Sequence, residues 1–401
     1  MATAQQGPHV LIVGTGPTGL VSAVALAQRG VRVTVFEALP DRALDLRAST
    51  IHPPTMEMLD SLGVMPRLLE QGLHSPFWQF RDRSSGPIAI FDLSLLKDEV
   101  RFPFRLQCEQ FKVTAALLAK LRTFPHADVR FNARAERVEQ VATGVTLALQ
   151  ENGQPTHLRG DYLIAADGAG SAIRKDLGVE FEGFTYPERF LLLSSPYEFR
   201  QDMPDLNLSN YFSDPTEWLV MLRVQEFWRI LFPTTPDESD EEVMAEANLQ
   251  RRLKSVADHT EDLPIAHRTL YAVHQRVAKT YRHGRVLLVG DAAHINNPLG
   301  GMGMNGGIHD AMNLVDKLSR VLEGGDAALL DQYSRQRRAV AMDYVQQWTH
   351  RNRQILRETD PAVRQANHDE LKAIAADPKL ALPYLRKTSM MASLDLARSI
   401  T

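Results

Sequence analysis

The chain has 401 residues, of which 44% are hydrophobic and 23% charged, and its net charge is −4. These values describe a globular protein with room for one large or two modest domains and exclude a disordered or fibrous chain. Arg and Lys are spread among acids rather than gathered in a basic stripe, so nucleic acid is not an expected partner, and the single cysteine, Cys108, excludes an intramolecular disulfide and a Cys-based metal cluster.

The N-terminal MATAQQGPHV has no basic segment before its apolar run, and no stretch approaches the roughly 20 apolar residues of a membrane span. A cytoplasmic protein without membrane attachment, monomeric or homodimeric, is expected. His9–Val13 reads as a short buried strand, Leu20–Gln28 as an Ala/Leu/Val-rich helix, and Val31–Phe36 as an alternating strand. Strand, glycine turn, helix and strand within forty residues predict a βαβ unit. Helices follow around Thr55–Leu62 and Phe111–Leu121. Short strands follow at Val129–Phe131, Arg137–Val141, Val145–Leu149 and Tyr162–Ala166, with a turn at Glu151-Asn152-Gly153.

Between about Glu180 and Val273 the texture is strand-like, at Phe190–Ser194, Trp218–Arg223, Trp228–Phe232 and Leu270–Val273. One helix at Asp240–Val256 interrupts it, opened by a Ser239/Glu242 capping box. An apolar strand returns at Val286–Val289, and beyond Asp326 the chain reads as helical. The expected class is α/β, with a discontinuous Rossmann-like nucleotide-binding domain (1–75, 100–180, 276–325), an inserted β-sheet substrate domain (76–99, 181–275) and C-terminal helices (326–401).

Three motifs carry chemistry. In Gly14-Thr15-Gly16-Pro17-Thr18-Gly19, Gly14 permits the tight turn, Gly16 lets a pyrophosphate approach the backbone, and Gly19 lets helix and strand pack closely. The helix start offers free N–H groups, and Glu37, ending the next strand, can accept from a ribose. The second motif, Asp167-Gly168-Ala169-Gly170-Ser171-Ala172-Ile173-Arg174, puts an Asp at a strand's C-terminal end, where α/β folds bind ligands. Taken alone it also reads as a helix cap, with Arg174 solvated. The third runs from Gly290-Asp291 through Pro298, Gly300 and Gly301 to Gly303-Met304-Asn305, with Asn305 near the N-cap of a helix carrying Ile308, Ala311, Met312, Val315, Leu318 and Leu322. No i,i+4 pairing among His274, His283, His294 and His309 suggests a metal site.

In order and separation the three motifs resemble the class A flavoprotein monooxygenases, the p-hydroxybenzoate hydroxylase family, from Val10 to Leu322. The stretch Tyr271–His294 resembles single-component hydroxylases of para-substituted phenols. The resemblance implies an FAD-binding domain of the glutathione-reductase type. It implies that Gly14, Gly16, Pro17, Thr18, Gly19 and Glu37 hold the ADP part of FAD, and that Arg47 and Gln107 contact the cofactor. Asp167 would serve FAD and nicotinamide use, Asp291 the ribityl and phosphate region, and Gly303, Met304 and Asn305 the pyrimidine edge. The chain leaves no room after its helical tail for the thioredoxin-like domain of phenol hydroxylase relatives.

A helix start at the N1–C2 edge favours the reduced flavin anion. NADH or NADPH would reduce the flavin, and O2 would give a C4a-hydroperoxide that must be kept from water. Pro298, Gly300 and Gly301 are expected to wall the flavin's reactive side, and an electron-rich phenol or hydroxylated heteroaromatic is the default substrate. His52, Tyr211, Trp218, Met221, Arg223 and Arg229 are candidate substrate contacts, none matched to a family residue. Alternatives are a flavin oxidoreductase without oxygen insertion (a quinone or prenyl reductase), an epoxidase or Baeyer–Villiger variant, and a non-catalytic nucleotide-binding protein.

Overall fold

The structure is a computed structural model that describes residues 7–44 and 48–401. Its first layer is a six-stranded sheet in the order Arg282–His283, Val286–Leu288, Tyr162–Ala165, His9–Val13, Arg32–Phe36, Ala127–Arg130. Apart from the hairpin at Arg282–His283 all its pairs are parallel, with Val10 opposite both Tyr162 and Val33. A parallel strand is covered on both faces, which is why His9–Val13 is buried throughout and reads as an unbroken apolar run. The helices Pro17–Gln28, Gln110–Leu121 and Met302–Leu322 share its core with the antiparallel meander Ala133–Val141, Gly144–Glu151, Gln154–Gly160.

The second layer is an eight-stranded sheet: His294–Ile295, His267–Ala278, Phe181–Ser195, Trp228–Pro233, Leu219–Arg223, Ser209–Ser213, Phe77–Asp82, Gly86–Asp92. Side-chain alternation splits it cleanly. Leu191, Leu193, Trp228, Ile230 and Phe232 pack with Leu249 and Leu253 of the helix Glu246–Lys254. Phe190, Leu192, Leu231, Trp78 and Phe80 face Ile355, Leu356, Leu371 and Leu385 of the C-terminal helices. A small sheet, Thr50–Ile51, Arg105–Gln107, Leu73–Ser75, lies between the two layers in sequence. The expected α/β architecture with an inserted sheet is present.

Several details differ from the sequence reading. The Asp240–Val256 helix is two, Asp240–Met244 and Glu246–Lys254, because Ala245 adopts extended backbone (ψ 134°) and caps both; the Ser239/Glu242 capping box is formed. Gln154–Gly160 and Ser209–Ser213 are strands that the alternation rule missed. The first carries Pro155 and polar side chains on both faces, and the second buries Ser209, Asn210 and Ser213. The long final helix of the third motif begins at Met302 with Gly301 as its N-cap, four residues before Asn305, so Asn305 lies inside its first turns. Among the described residues no helix is long and apolar enough to cross a membrane.

Candidate active site

The first motif turns between His9–Val13 and the helix Pro17–Gln28. Gly14 sits at φ +105°, and a Cβ there would lie 2.3 Å from the Ala166 carbonyl oxygen; one on Gly19 would lie 2.1 Å from that of Gly14. Gly16 is the opposite case: a Cβ would meet nothing within 4 Å. It is also the N-cap of a helix whose start no side chain caps and which Pro17 opens. Two glycines are consumed by packing and the third leaves backbone bare beside free N–H groups, which fits a dinucleotide's pyrophosphate. Glu37 Oε2 accepts from the Thr15 N–H at 3.0 Å and hydroxyl at 2.7 Å, so its carboxylate is held at the strand end. Thr18 Oγ1 fills the gap between Gly290 and Gly307, where added Cβ atoms would come within 2.6 and 2.4 Å of it.

At the second motif Asp167 accepts from the Ser171 hydroxyl at 2.6 Å and the Ile173 N–H at 3.2 Å. Burial lifts its carboxyl above the ordinary range, with those bonds opposing. Arg174 is not solvated: it is buried, donates to Ala292 O at 2.9 Å and Ala169 O at 2.8 Å, and lies 3.8 Å from the Phe181 ring centroid. It thereby ties the second motif to the third.

In the third motif Asp291 is exposed in the short turn Gly290–Ala292. The turn is fixed from below, where Asp310 accepts from the Gly290 N–H at 3.2 Å, His294 Nε2 at 2.7 Å and Arg337 Nε at 2.5 Å. Burial alone would lift the Asp310 carboxyl, but His294 and Arg337 outweigh it and hold the group below the ordinary carboxylate range. Gly300 (φ +111°) and Gly301 (φ +66°) then deliver the chain to Met302, and the Gly301 N–H closes a turn on Pro298 O at 3.0 Å. By helix geometry the N–H groups of Met302, Gly303 and Met304 have no partner in their own helix. Asn305 works through its side chain: Oδ1 accepts from the His52 N–H at 2.9 Å, and Nδ2 donates to Thr50 O and Gly301 O at 2.8 and 2.7 Å.

That bond begins a buried polar chain across the layers. The Thr50 hydroxyl donates to Gln107 Oε1 at 2.9 Å, and Gln107 Nε2 donates to Ser209 Oγ at 2.7 Å. Both ends of the Gln107 amide are therefore committed inside the protein. His52 Nε2 donates to Gly300 O at 2.9 Å, and burial, then the charge of Arg105, pushes its pKa down to about 3. Arg47 lies outside the described residues.

A pocket opens against Gly300 and Met302 and is walled by Trp78, Phe80, Tyr211 and Tyr384, with Arg105 among them. Trp78 stacks on Phe91 at 4.3 Å and meets Tyr211 edge-on at 5.6 Å. The C-terminal helices close it with Asn352, Ile355 and Leu371. Of the substrate candidates, Tyr211 is on this wall and His52 backs Gly300 and Gly301. Trp218 packs edge-on to Phe190 in the apolar layer and is not on the wall. Met221 points to the opposite face of the sheet, among Trp228 and Ile230. Arg223 pairs with Glu198 at 3.6 Å, and Arg229 is buried between Ser194 and Leu222 in the register, away from the wall. The wall residues Trp78, Phe80, Arg105 and Tyr384 were not singled out from sequence. A period of two in Phe77-Trp78-Gln79-Phe80 puts Trp78 and Phe80 on one face, and that signal was readable. Tyr384 carried none. Among the described residues no group of three His, Cys, Asp or Glu side chains is placed to hold a metal ion.

Residues 8–348 match the model of the FAD binding domain family. Para-nitrophenol 4-monooxygenase of Pseudomonas sp. (strain WBC-3) is 32% identical over 380 residues, covering 94% of each chain. The 6-hydroxy-3-succinoylpyridine 3-monooxygenase HspB of Pseudomonas putida (strain DSM 28022 / S16) is 30% identical, over 84% of this chain and 86% of its own. The crystal structure of p-nitrophenol 4-monooxygenase PnpA from Pseudomonas putida DLL-E4 superposes with a TM-score of 0.91 at 30% identity and covers 98% of both chains. With the open Gly16 cradle, the three motifs around one sheet edge and these likenesses, the chain belongs to the FAD-binding family of class A flavoprotein aromatic monooxygenases.

Proposed function

We propose that the protein hydroxylates a small phenol or hydroxylated heteroaromatic with NADH or NADPH and O2. The observation that carries this reading is the aromatic-walled pocket ending on Gly300 and Met302, at the start of the helix Met302–Leu322. Bound FAD would supply two-electron reduction by the nicotinamide and activation of O2. Gly16 and the start of Pro17–Gln28 would hold its pyrophosphate, Glu37 its ribose, Asp291 its ribityl region, and the open N–H groups at Met302–Met304 its pyrimidine edge. Trp78, Phe80 and Tyr384 orient a flat ring and exclude water, while Gly300 leaves no side chain between ring and cofactor. His52, neutral and bonded to Gly300 O, holds that peptide in place.

Names of the relatives, acting on a nitrophenol and a hydroxypyridine, support a single oxygenated ring as substrate. The test is a screen of small phenols and hydroxypyridines for stimulated NADH and NADPH oxidation, with product mass recorded. A substrate-dependent gain of one oxygen is expected. Peroxide alone, or no stimulation by any of them, would overturn the reading in favour of a reductase without oxygen insertion.

A further inference from the structure

Arg105 is the one charged side chain among the described residues that line the pocket. It is 2% exposed, its Nε has no hydrogen-bond partner, and no carboxylate of the described residues pairs with it. Its neighbours are the Tyr211 hydroxyl, the Tyr384 phenol and the Trp78 ring, whose centroid lies 5.0 Å from its Cζ. The ring face offsets part of the desolvation of a guanidinium, but a buried cation without a counterion remains costly. An anion entering the pocket would remove that cost. The rest of the wall is mostly aromatic or aliphatic, with Asn352 and Thr388 as neutral polar members, so a fitting ligand has a flat apolar body and one anionic oxygen.

We propose that Arg105, with Tyr211 beside it, is the anion subsite of this pocket and receives the oxygen of a phenol bound as its phenolate. This rests on the hydroxylation reading, which needs an electron-rich ring; an oxygen anion conjugated with the ring makes it more so. A ring carboxylate is the other source of the same chemistry.

The surrounding groups leave the ligand as the titrating partner. Burial pushes Tyr384 up to about 12, with Arg351, Glu370, Arg105 and Tyr211 acting on it from neighbouring elements. His52 is pushed down to about 3 by burial first and then by the Arg105 charge. Burial lowers Arg105 as well, yet a guanidinium keeps its proton through the neutral range.

The test uses the flavin-loaded protein and 4-nitrophenol, whose phenolate alone absorbs visible light, titrated on both sides of its pKa in water. Wild type is expected to lower the pKa of the bound phenol by one unit or more, equivalent to about tenfold tighter binding of the phenolate. Arg105→Gln should abolish that preference and Arg105→Lys keep part of it. Nitrobenzene, with no ionisable oxygen, should bind wild type and Arg105→Gln within about twofold.

Three results would overturn the proposal: phenolate preference surviving in Arg105→Gln, nitrobenzene binding weakened as much as nitrophenol, or benzoate losing more than nitrophenol on substitution. Should Arg105→Gln fail to hold flavin, the bound-ligand pKa in wild type and Arg105→Lys decides, and its absence in wild type overturns the subsite. Phenolate bound as expected without hydroxylated product would sink the hydroxylation reading and leave the subsite standing. Hydroxylation of some ring with no anion preference would do the reverse.

Discussion

Gly14 and Gly16 stand two residues apart in one turn and have different jobs. Gly14 is at φ +105° with a carbonyl 2.3 Å from where a Cβ would go, so Gly14→Ala strains the protein itself. Its expected effect is a loss of about 1–3 kcal/mol of stability from the backbone alone, with or without flavin. Gly16 has φ −65° and open space, so Gly16→Ala should leave apoprotein melting unchanged while flavin content per chain falls. Melting temperatures of the apoproteins and the flavin-to-protein absorbance ratio separate the two. A Gly16→Ala protein carrying full flavin would refute the cradle. The tight turn at Gly14 was legible from spacing. The positions of Met221 and Arg223 were not, because a strand's two faces look alike until it is known which one meets the first domain.

At the scale of elements, the sheet edge proposed for the cofactor depends on how closely Pro17–Gln28 approaches Met302–Leu322 and the Gly290–Ala292 turn. Thr18 is the spacer. A Cβ on Gly307 would lie 2.4 Å from Thr18 Oγ1 and 3.2 Å from Gly290 Cα. Gly307→Ala is expected to cost about 1–3 kcal/mol in urea unfolding. In a Thr18→Ala background the loss should shrink by at least about 0.5 kcal/mol, because the nearest clash is gone. Equal losses in both backgrounds would show that the spacing is set elsewhere. The helix after the third motif was visible from its apolar period, but its start was not. Gly300 and Gly301 both take a positive φ and Gly301, at φ +66°, ends the loop, and glycine's freedom in sequence does not say which of Gly300, Gly301 and Gly303 is the last to do so.

For the whole molecule, three buried histidines set the acid limit. Burial lowers His9 to about 4 and both His52 and His309 to about 3, and each has a neutral partner: Thr34, Gly300 O and Thr55. The folded state therefore resists protons that the unfolded chain accepts near 6.5. Their contribution is complete above that pH and is lost as pH falls toward 4 and 3, by up to about 1.4 kcal/mol per pH unit for each group. Urea unfolding between pH 8 and 5 should show stability falling with acidity, and His309→Gln should reduce the slope by close to one proton. An unchanged slope in that variant would remove His309 from the account. The eight-stranded sheet and the C-terminal helices are also braced by a buried pair, Arg353 Nη2 to Glu188 Oε2 at 2.8 Å, which fixes the helix Gln347–Arg357 over the pocket.

The sequence by itself determined the parallel sheet, the glycine turns, the capping box and the flavin-binding motifs, because each depends on residues adjacent in the chain or on a short period. Only the tertiary structure decided the aromatic-walled pocket. Trp78 and Tyr211 come from the eight-stranded sheet, Arg105 from the small sheet, and Asn352 and Tyr384 from the C-terminal helices. Burial, the lack of a carboxylate partner for Arg105 among the described residues and the neutrality of His52 are properties of what surrounds a side chain, and no local pattern encodes them. The same holds for Gln107 and Asn305. The family resemblance implied that they contact the cofactor, yet their side chains join Met302–Leu322 to the strands Thr50–Ile51 and Ser209–Ser213, a link that exists only once the two layers meet.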